Sequence, residues 1–269
     1  MTIRRFLIDW VLPKILHKFL LGVYAGWHGY YNSFESARSK AGSYSDSEVF
    51  IGVLNKTLST IKEGDVLERD GAIINERVFQ VPVLVGLILS LSWKQKGLKV
   101  LDFGGGLGSL YRELKNYLPF SNWVVVEQPG LVSLATGNID SGNLQFRTSL
   151  SGAYKLHDKY ELAILSSVLQ YLENPYEDLN QILSKKPRVV VVDRTLFSKD
   201  NKSYVSVQRV PKSIYGFPTS YPCWILNKEE LLGVFNKQGY VLVGEFRSSI
   251  DETNRWNEEF LGFVFKYEN

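Results

Sequence analysis

A doubly wound α/β domain preceded by a helical N-terminal cover is predicted by three observations. Short apolar runs recur from residue 98 onward, stretches with helical spacing separate them, and a glycine cluster sits at the first junction. Runs such as WVVVE (123–127) and RVVVV (188–192) are apolar throughout, the pattern of strands covered on both faces. Parallel strands of that kind need crossover connections, and the crossovers are right-handed in nearly every case.

Each element follows in chain order. The opening MTIRRFLIDWVLPKILHKFLLGVYAGW is apolar and basic, but Asp9, Lys14, His17 and Lys18 interrupt every stretch long enough to cross a bilayer. It lacks the cleavage pattern of a secretory signal. Pro13 suits the first turn of a helix over 14–23. That helix would pack on the domain, or lie at a membrane interface through Trp10, Leu16 and Phe19 flanked by Arg4, Arg5, Lys14 and Lys18. A cytoplasmic protein is the resulting expectation, with packing of this helix on the domain as the first reading and peripheral membrane contact as the second.

GWHGYYNSFESARSKAGSYS (26–45) reads as a loop or lid. Ser45 and Glu48 form a capping box before a helix carrying Val49, Phe50, Val53 and Leu54. VPVLVGLILSLSW (81–93) is too short to span lipid and reads as a core helix. KVLDF (99–103) is the first buried strand, and Leu107, Leu110, Tyr111, Leu114 and Leu118 mark the following helix, stopped by Pro119. WVVVE, LQF (144–146), ELAIL (161–165) and RVVVV give strands two to five. Asn174, Pro175 and Glu177 open one helix, Asn227 and Glu230 another, and Gly239 closes the latter. YVLVGEF (240–246) and GFVFKY (262–267) form a terminal antiparallel pair. The division is 1–96 as cover or lid and 97–269 as ligand-binding domain, with 194–226 as a substrate loop.

Composition excludes several classes. Lys and Arg number 31 against 28 Asp and Glu, a net charge of +3, which argues against a nucleic-acid partner. A single cysteine, Cys223, excludes an internal disulfide framework and any cysteine-cluster metal site, and it reads as buried. No metal site is expected. Aromatic residues reach 13%.

The informative stretch is Asp102-Phe-Gly104-Gly105-Gly106-Leu-Gly108. It follows a strand and opens a helix, and missing β-carbons let a ligand approach the backbone. A dinucleotide fingerprint would need glycine where Ser109 stands. Glu127 ends the second strand, where a carboxylate can accept from a vicinal diol; a nicotinamide cofactor would want the same acid.

Asp-x-Gly-x-Gly-x-Gly after the first strand resembles motif I of class I S-adenosylmethionine-dependent methyltransferases, which have a Rossmann-like doubly wound sheet. The resemblance implies S-adenosyl-L-methionine as cofactor. Its amino-acid end would lie at Asp102, Gly104, Gly106 and Gly108, its ribose at Glu127, and Ser166 and Ser167 would be matching strand-end residues. ELAILSSVLQYLENP resembles the fourth-strand region of these enzymes. More narrowly, YYNSFESA, SSVLQYLENP, VVVDRT and SYPCWIL resemble a methyltransferase family of bacterial surface-polysaccharide gene clusters. That likeness implies a small-molecule or glycan-precursor acceptor, with a sugar hydroxyl as preferred target. At the third strand the sequence departs from the pattern: Arg147, Thr148 and Ser149 stand where many relatives carry an acid for adenine.

Methyl transfer chiefly requires donor and acceptor to be held in line. Candidates for catalysis are Asp193 at the fifth strand end, His28 and Tyr171; Arg194 could instead neutralise Asp193. Tyr30, Tyr31 and Tyr44 could close over the cofactor. Arg194, Lys199, Lys202, Arg209 and Lys212 would favour an anionic acceptor. A non-catalytic partner protein built on the cofactor fold and a nicotinamide-dependent oxidoreductase are the alternative readings. Oligomeric state is not legible.

Overall fold

The computed structural model describes residues 25–41, 47–63, 67–69, 72–74, 78–93, 97–118, 120–140, 142–211, 218–248, 250–251 and 253–268. The expected helix over 14–23, its membrane contact, the Ser45 cap, Tyr44, Pro119 and Lys212 lie outside the described residues. Among the described residues no helix is long and apolar enough to cross a membrane.

The N-terminal part contains β1 (Gly26–Tyr31), α1 (Phe34–Arg38), α2 (Ser47–Glu63), β2 (Leu67–Arg69), β3 (Ala72–Ile74) and α3 (Val81–Trp93). The core follows as β4 (Leu98–Phe103), α4 (Ser109–Leu114), β5 (Phe120–Val126), α5 (Pro129–Ala135), β6 (Leu144–Arg147), α6 (Leu150–Leu156) and β7 (Leu162–Ser166). After a 3-10 turn at Leu169–Tyr171 come α7 (Pro175–Ser184), β8 (Val189–Ser198), β9 (Tyr204–Val210) and β10 (Thr219–Asn227). The chain ends with α8 (Lys228–Lys237), β11 (Tyr240–Arg247) and β12 (Glu258–Tyr267).

The parallel strands lie in the order β6-β5-β4-β7-β8, and β12 runs antiparallel beside β8 with β11 outside it. Alternate residues face two separate cores. Val100, Leu162, Ile164, Val189 and Val191 pack with α2, α3, α4 and α5, whereas Leu101, Val124, Ala163, Val190 and Val192 pack with α6, α7 and α8. This is the doubly wound arrangement expected, with the terminal strand pair in place.

Helix α3 lies close against the sheet because Gly86 has no side chain. A β-carbon there would stand 2.4 Å from Val191 Cγ2. The close approach carries Gln80 and Pro82, at the start of α3, to the C-terminal end of β7 and to Asp193 in the middle of β8.

Two expectations are corrected. The 26–45 segment is not simply a loop: β1 pairs antiparallel with β9, anchored where Arg255 donates to the carbonyls of Trp27 (3.2 Å) and Gly29 (2.7 Å). The expected substrate loop at 194–226 is largely sheet. β8 continues to Ser198, and β9 and β10 return as an antiparallel pair that rejoins it at Leu226↔Phe197 and Asn227↔Ser198. Strand β8 thus pairs with β7 through Asp193 and with β10 beyond, and the sheet branches above the end of β7.

Candidate functional site

The glycine turn leaves β4 at the centre of the sheet. Gly104, Gly106 and Gly108 adopt φ of +73°, +57° and +75°, the left-handed region that favours glycine. The turn is pinned from both flanks: Gly104 N donates to Val126 O (2.9 Å), and a β-carbon on Gly104 would stand 2.3 Å from Val168 Cγ2. Gly106 differs, because a β-carbon there would meet nothing within 4 Å. Its outer side is open.

Asp102 supports this turn from beneath. It is 1% exposed and accepts from the indole N–H of Trp123 at 2.9 Å. Its carboxylate lies 2.4 Å from where a Gly105 β-carbon would be, so the glycine backbone rests on it. Asp102, expected at the amino-acid end of the cofactor, thus lies buried beneath the turn.

Glu127 reaches over the turn from the end of β5. One oxygen accepts from Gly106 N (3.2 Å) and the other from Gln128 N (2.8 Å). Adjacent parallel strands thus bring Glu127 to the open side of Gly106.

Ser166 ends β7 and its hydroxyl donates to Gln80 Oε1 at 2.9 Å. Ser167 takes φ +56° and donates its N–H to Asp193 O (2.9 Å); Arg194, one residue on in β8, takes φ +51°. Such backbone strain in non-glycine residues clusters at functional sites. Gln170 fills the gap between them, wholly buried, donating from Nε2 to Arg194 O at 3.0 Å.

The three expected catalytic residues are not brought together. Asp193 is 2% exposed, its carboxylate against Gly262 and Pro82 under the start of α3, so it does not reach the crevice. Arg194 does not neutralise it; the guanidinium forks onto Asp251 with two contacts of 2.9 Å. Tyr171 donates to Gln208 Oε1 (2.8 Å) and sets its ring edge-on to Tyr221. His28 pairs with Val207, the neighbour of Gln208, and neighbouring strand residues face opposite ways. His28 therefore lies on the other face of the branch from Tyr171. Burial, aided by Arg209 and Arg255, lowers its pKa against the opposing bond to Ala25.

Of the basic residues expected to favour an anionic acceptor, Arg194 pairs with Asp251 and Lys199 donates to the carbonyl of Trp256 (3.1 Å). At the third strand, Ser149 caps α6 by accepting from Gly152 N (3.1 Å). Cys223 is buried under Trp27, whose indole N–H donates to its sulfur at 3.3 Å; burial pushes the thiol up to about 12. No local pattern singles out Gln80, and Asp251 stands 57 residues from its partner.

Four separated segments interlock at the branch. Phe34 of YYNSFESA stacks on Trp224 of SYPCWIL, centroids 6.4 Å apart. Trp224 Nε1 donates to the carbonyl of Glu173 in SSVLQYLENP (3.4 Å), and Gln170 of that segment holds Arg194 of VVVDRT.

Fold and site together define a class: an open, Rossmann-like doubly wound sheet with a glycine turn and a strand-end acid at the C-terminal edge of its parallel strands. No protein-family model matches the sequence, and no curated protein does. Among solved structures it is similar to magnesium protoporphyrin IX methyltransferase (ChlM) from Synechocystis PCC 6803 with bound SAH, at TM-score 0.47 and 16% identity over 83% of this chain and 100% of that one. It is also similar to CalS10, an amino pentose methyltransferase from Micromonospora echinaspora, at 0.46 and 12% over 72% and 100%. A Clostridium acetobutylicum S-adenosylmethionine-dependent methyltransferase gives 0.47 and 12% over 80% and 98%.

Proposed function

We propose that this protein transfers a methyl group from S-adenosylmethionine to a small acceptor, a sugar hydroxyl of a surface-glycan precursor. The observation that carries the reading is Gly106: a left-handed residue, open on its outer side, whose N–H is held by the Glu127 carboxylate. A bare backbone beside an acid at a strand end suits the amino-acid end and the ribose of that cofactor. Gly104 and Gly106 would receive the former, Glu127 the latter, with Ser166 and Ser167 alongside. When bound, the sulfonium supplies an electrophilic methyl group.

The chain's own contribution is placement, the larger requirement of an in-line displacement. Tyr171, fixed by Gln208 and Tyr221, offers a polar and aromatic wall suited to a sugar. The glycan part rests on the resemblance of four segments to the polysaccharide-cluster family. Burial of Asp193 favours a second reading, a cofactor-fold partner without turnover.

Calorimetry with S-adenosylhomocysteine tests the site. The parent chain should bind and Gly106→Val should not; equal binding by both removes the assignment. Labelled methyl transfer to a panel of nucleotide sugars then separates enzyme from partner. Retention of reduced nicotinamide instead would favour the oxidoreductase.

A further inference from the structure

Four cations converge at the pole of the sheet opposite the crevice. Lys159 precedes β7, Lys186 follows α7, Arg188 adjoins the start of β8 and Lys266 lies near the end of β12. With Trp93, Tyr267 and Glu268 they line an open recess of about 530 Å³, a volume in the range of small-molecule sites. Arg188 and the glycine turn stand at opposite ends of the parallel strands. Residues 189 to 193 of β8 alone separate the two poles by about 13 Å.

Like charges gathered in one recess repel unless something opposes them. Among the described residues, no carboxylate makes an ion pair within 4.0 Å of any of the four. Glu268 is the only acid in the described lining. Ring faces hold three of the four instead: Arg188 Cζ lies 4.8 Å and Lys266 Nζ 5.4 Å from the Trp93 centroid, and Lys186 Nζ lies 5.2 Å from that of Tyr267. A ring face orients a cation without neutralising it. Lys186 also takes φ +54° where the chain leaves α7, a position that favours glycine. The fold thus holds a lysine in an unfavourable conformation beside three other cations, each with N–H donors left for an incoming anion.

We propose that this recess binds a phosphate group, carried by a free small anion or presented as a lipid headgroup. Guanidinium and ammonium groups together match phosphate, the former as a planar fork and the latter as point charges. The site is distinct from the methyl-transfer crevice and does not depend on that function.

The test uses the full chain at low ionic strength, where exposed charges are least screened. One arm titrates inorganic pyrophosphate by calorimetry. The other measures co-sedimentation with phosphatidylcholine vesicles, with and without phosphatidylglycerol. The recess variant is Lys186→Gln with Arg188→Gln. Its control, Lys115→Gln with Lys237→Gln, removes the same charge from exposed positions elsewhere. The parent should bind at least one probe, the recess variant should lose about tenfold or more of that affinity, and the control should keep it. Pyrophosphate binding identifies a free anion as sufficient; binding only to phosphatidylglycerol vesicles identifies the headgroup. The proposal fails if neither probe binds the parent, if the recess variant binds as the parent does, or if the control loses as much as the recess variant.

Discussion

Two glycines of one turn should fail in different ways when alanine replaces them. Both adopt left-handed backbone, at φ +73° for Gly104 and +57° for Gly106, so each substitution carries a conformational cost of about 1–2 kcal/mol. Their surroundings then diverge. A β-carbon on Gly104 would stand 2.3 Å from Val168 Cγ2 and 2.6 Å from its Cβ, and the loop after β7 must move to admit it. Overpacking of that kind adds roughly 1–3 kcal/mol. On Gly106 the same carbon meets nothing within 4 Å, so only the conformational cost applies. Gly104→Ala should therefore destabilise by about 2–5 kcal/mol, and Gly106→Ala by about 1–2. Urea unfolding measures both, with a melting shift of roughly 2–4 °C per kcal/mol as a check. Binding of S-adenosylhomocysteine should rank them the other way when corrected for folded fraction. Gly106→Ala places its methyl group where the ligand must approach and should lose about tenfold or more, or 1.4 kcal/mol. If Gly106→Ala is the less stable of the two, or binds the ligand as the parent does, the geometry of the turn is wrong.

Other outcomes follow from single contacts. Glu127→Ala removes the acceptor of Gly106 N and the proposed diol partner, and should weaken S-adenosylhomocysteine by roughly 1.5–3 kcal/mol in a calorimetric titration. Trp123→Phe strips a hydrogen bond from the buried Asp102 carboxylate, and should cost about 1–3 kcal/mol or more in urea unfolding. Because the folded pKa of His28 is lowered, its neutral form contributes stability above the unfolded value of about 6.5, lost as pH falls through the folded value. His28→Gln should flatten that acid limb of the unfolding curve. Cys223, buried with its thiol pushed up to about 12, should resist alkylation in native buffer and react fully in denaturant, as mass spectrometry would show.

The central sheet was legible because its strands are short unbroken apolar runs set between segments of helical spacing. Val189–Val192 and Val124–Val126 are buried on both faces, and that burial demands the unbroken apolar runs read from sequence. The cap of α8 was legible too: Asn227 accepts from Glu229 N at 2.9 Å, and Gly239 follows at φ +80°. Asn174 is a weaker case, since Pro175 starts α7 but the Asn174 side chain makes no cap bond.

The branch escaped for identifiable reasons. Pro222 lies in β10 between β8 and β9, where a residue without an N–H argues against a central strand. Charges at Lys199, Asp200 and Lys202 made the start of that segment read as solvated loop. β1 contains Gly26 and Gly29, both at positive φ, with a register break after His28, so its composition resembles a turn. Within the site, glycines and Glu127 were readable because local spacing defines them. Gln80 and Asp251 were not, since each meets its partner only through the tertiary fold, across 86 and 57 residues respectively.

The most direct test of the account is a crystal structure of the full chain with S-adenosylhomocysteine. The ribose hydroxyls should lie within hydrogen-bond reach of the Glu127 carboxylate and the amino-acid end against the backbone of Gly104 and Gly106. Product bound elsewhere, or a glycine crevice left empty at saturating ligand, would contradict it.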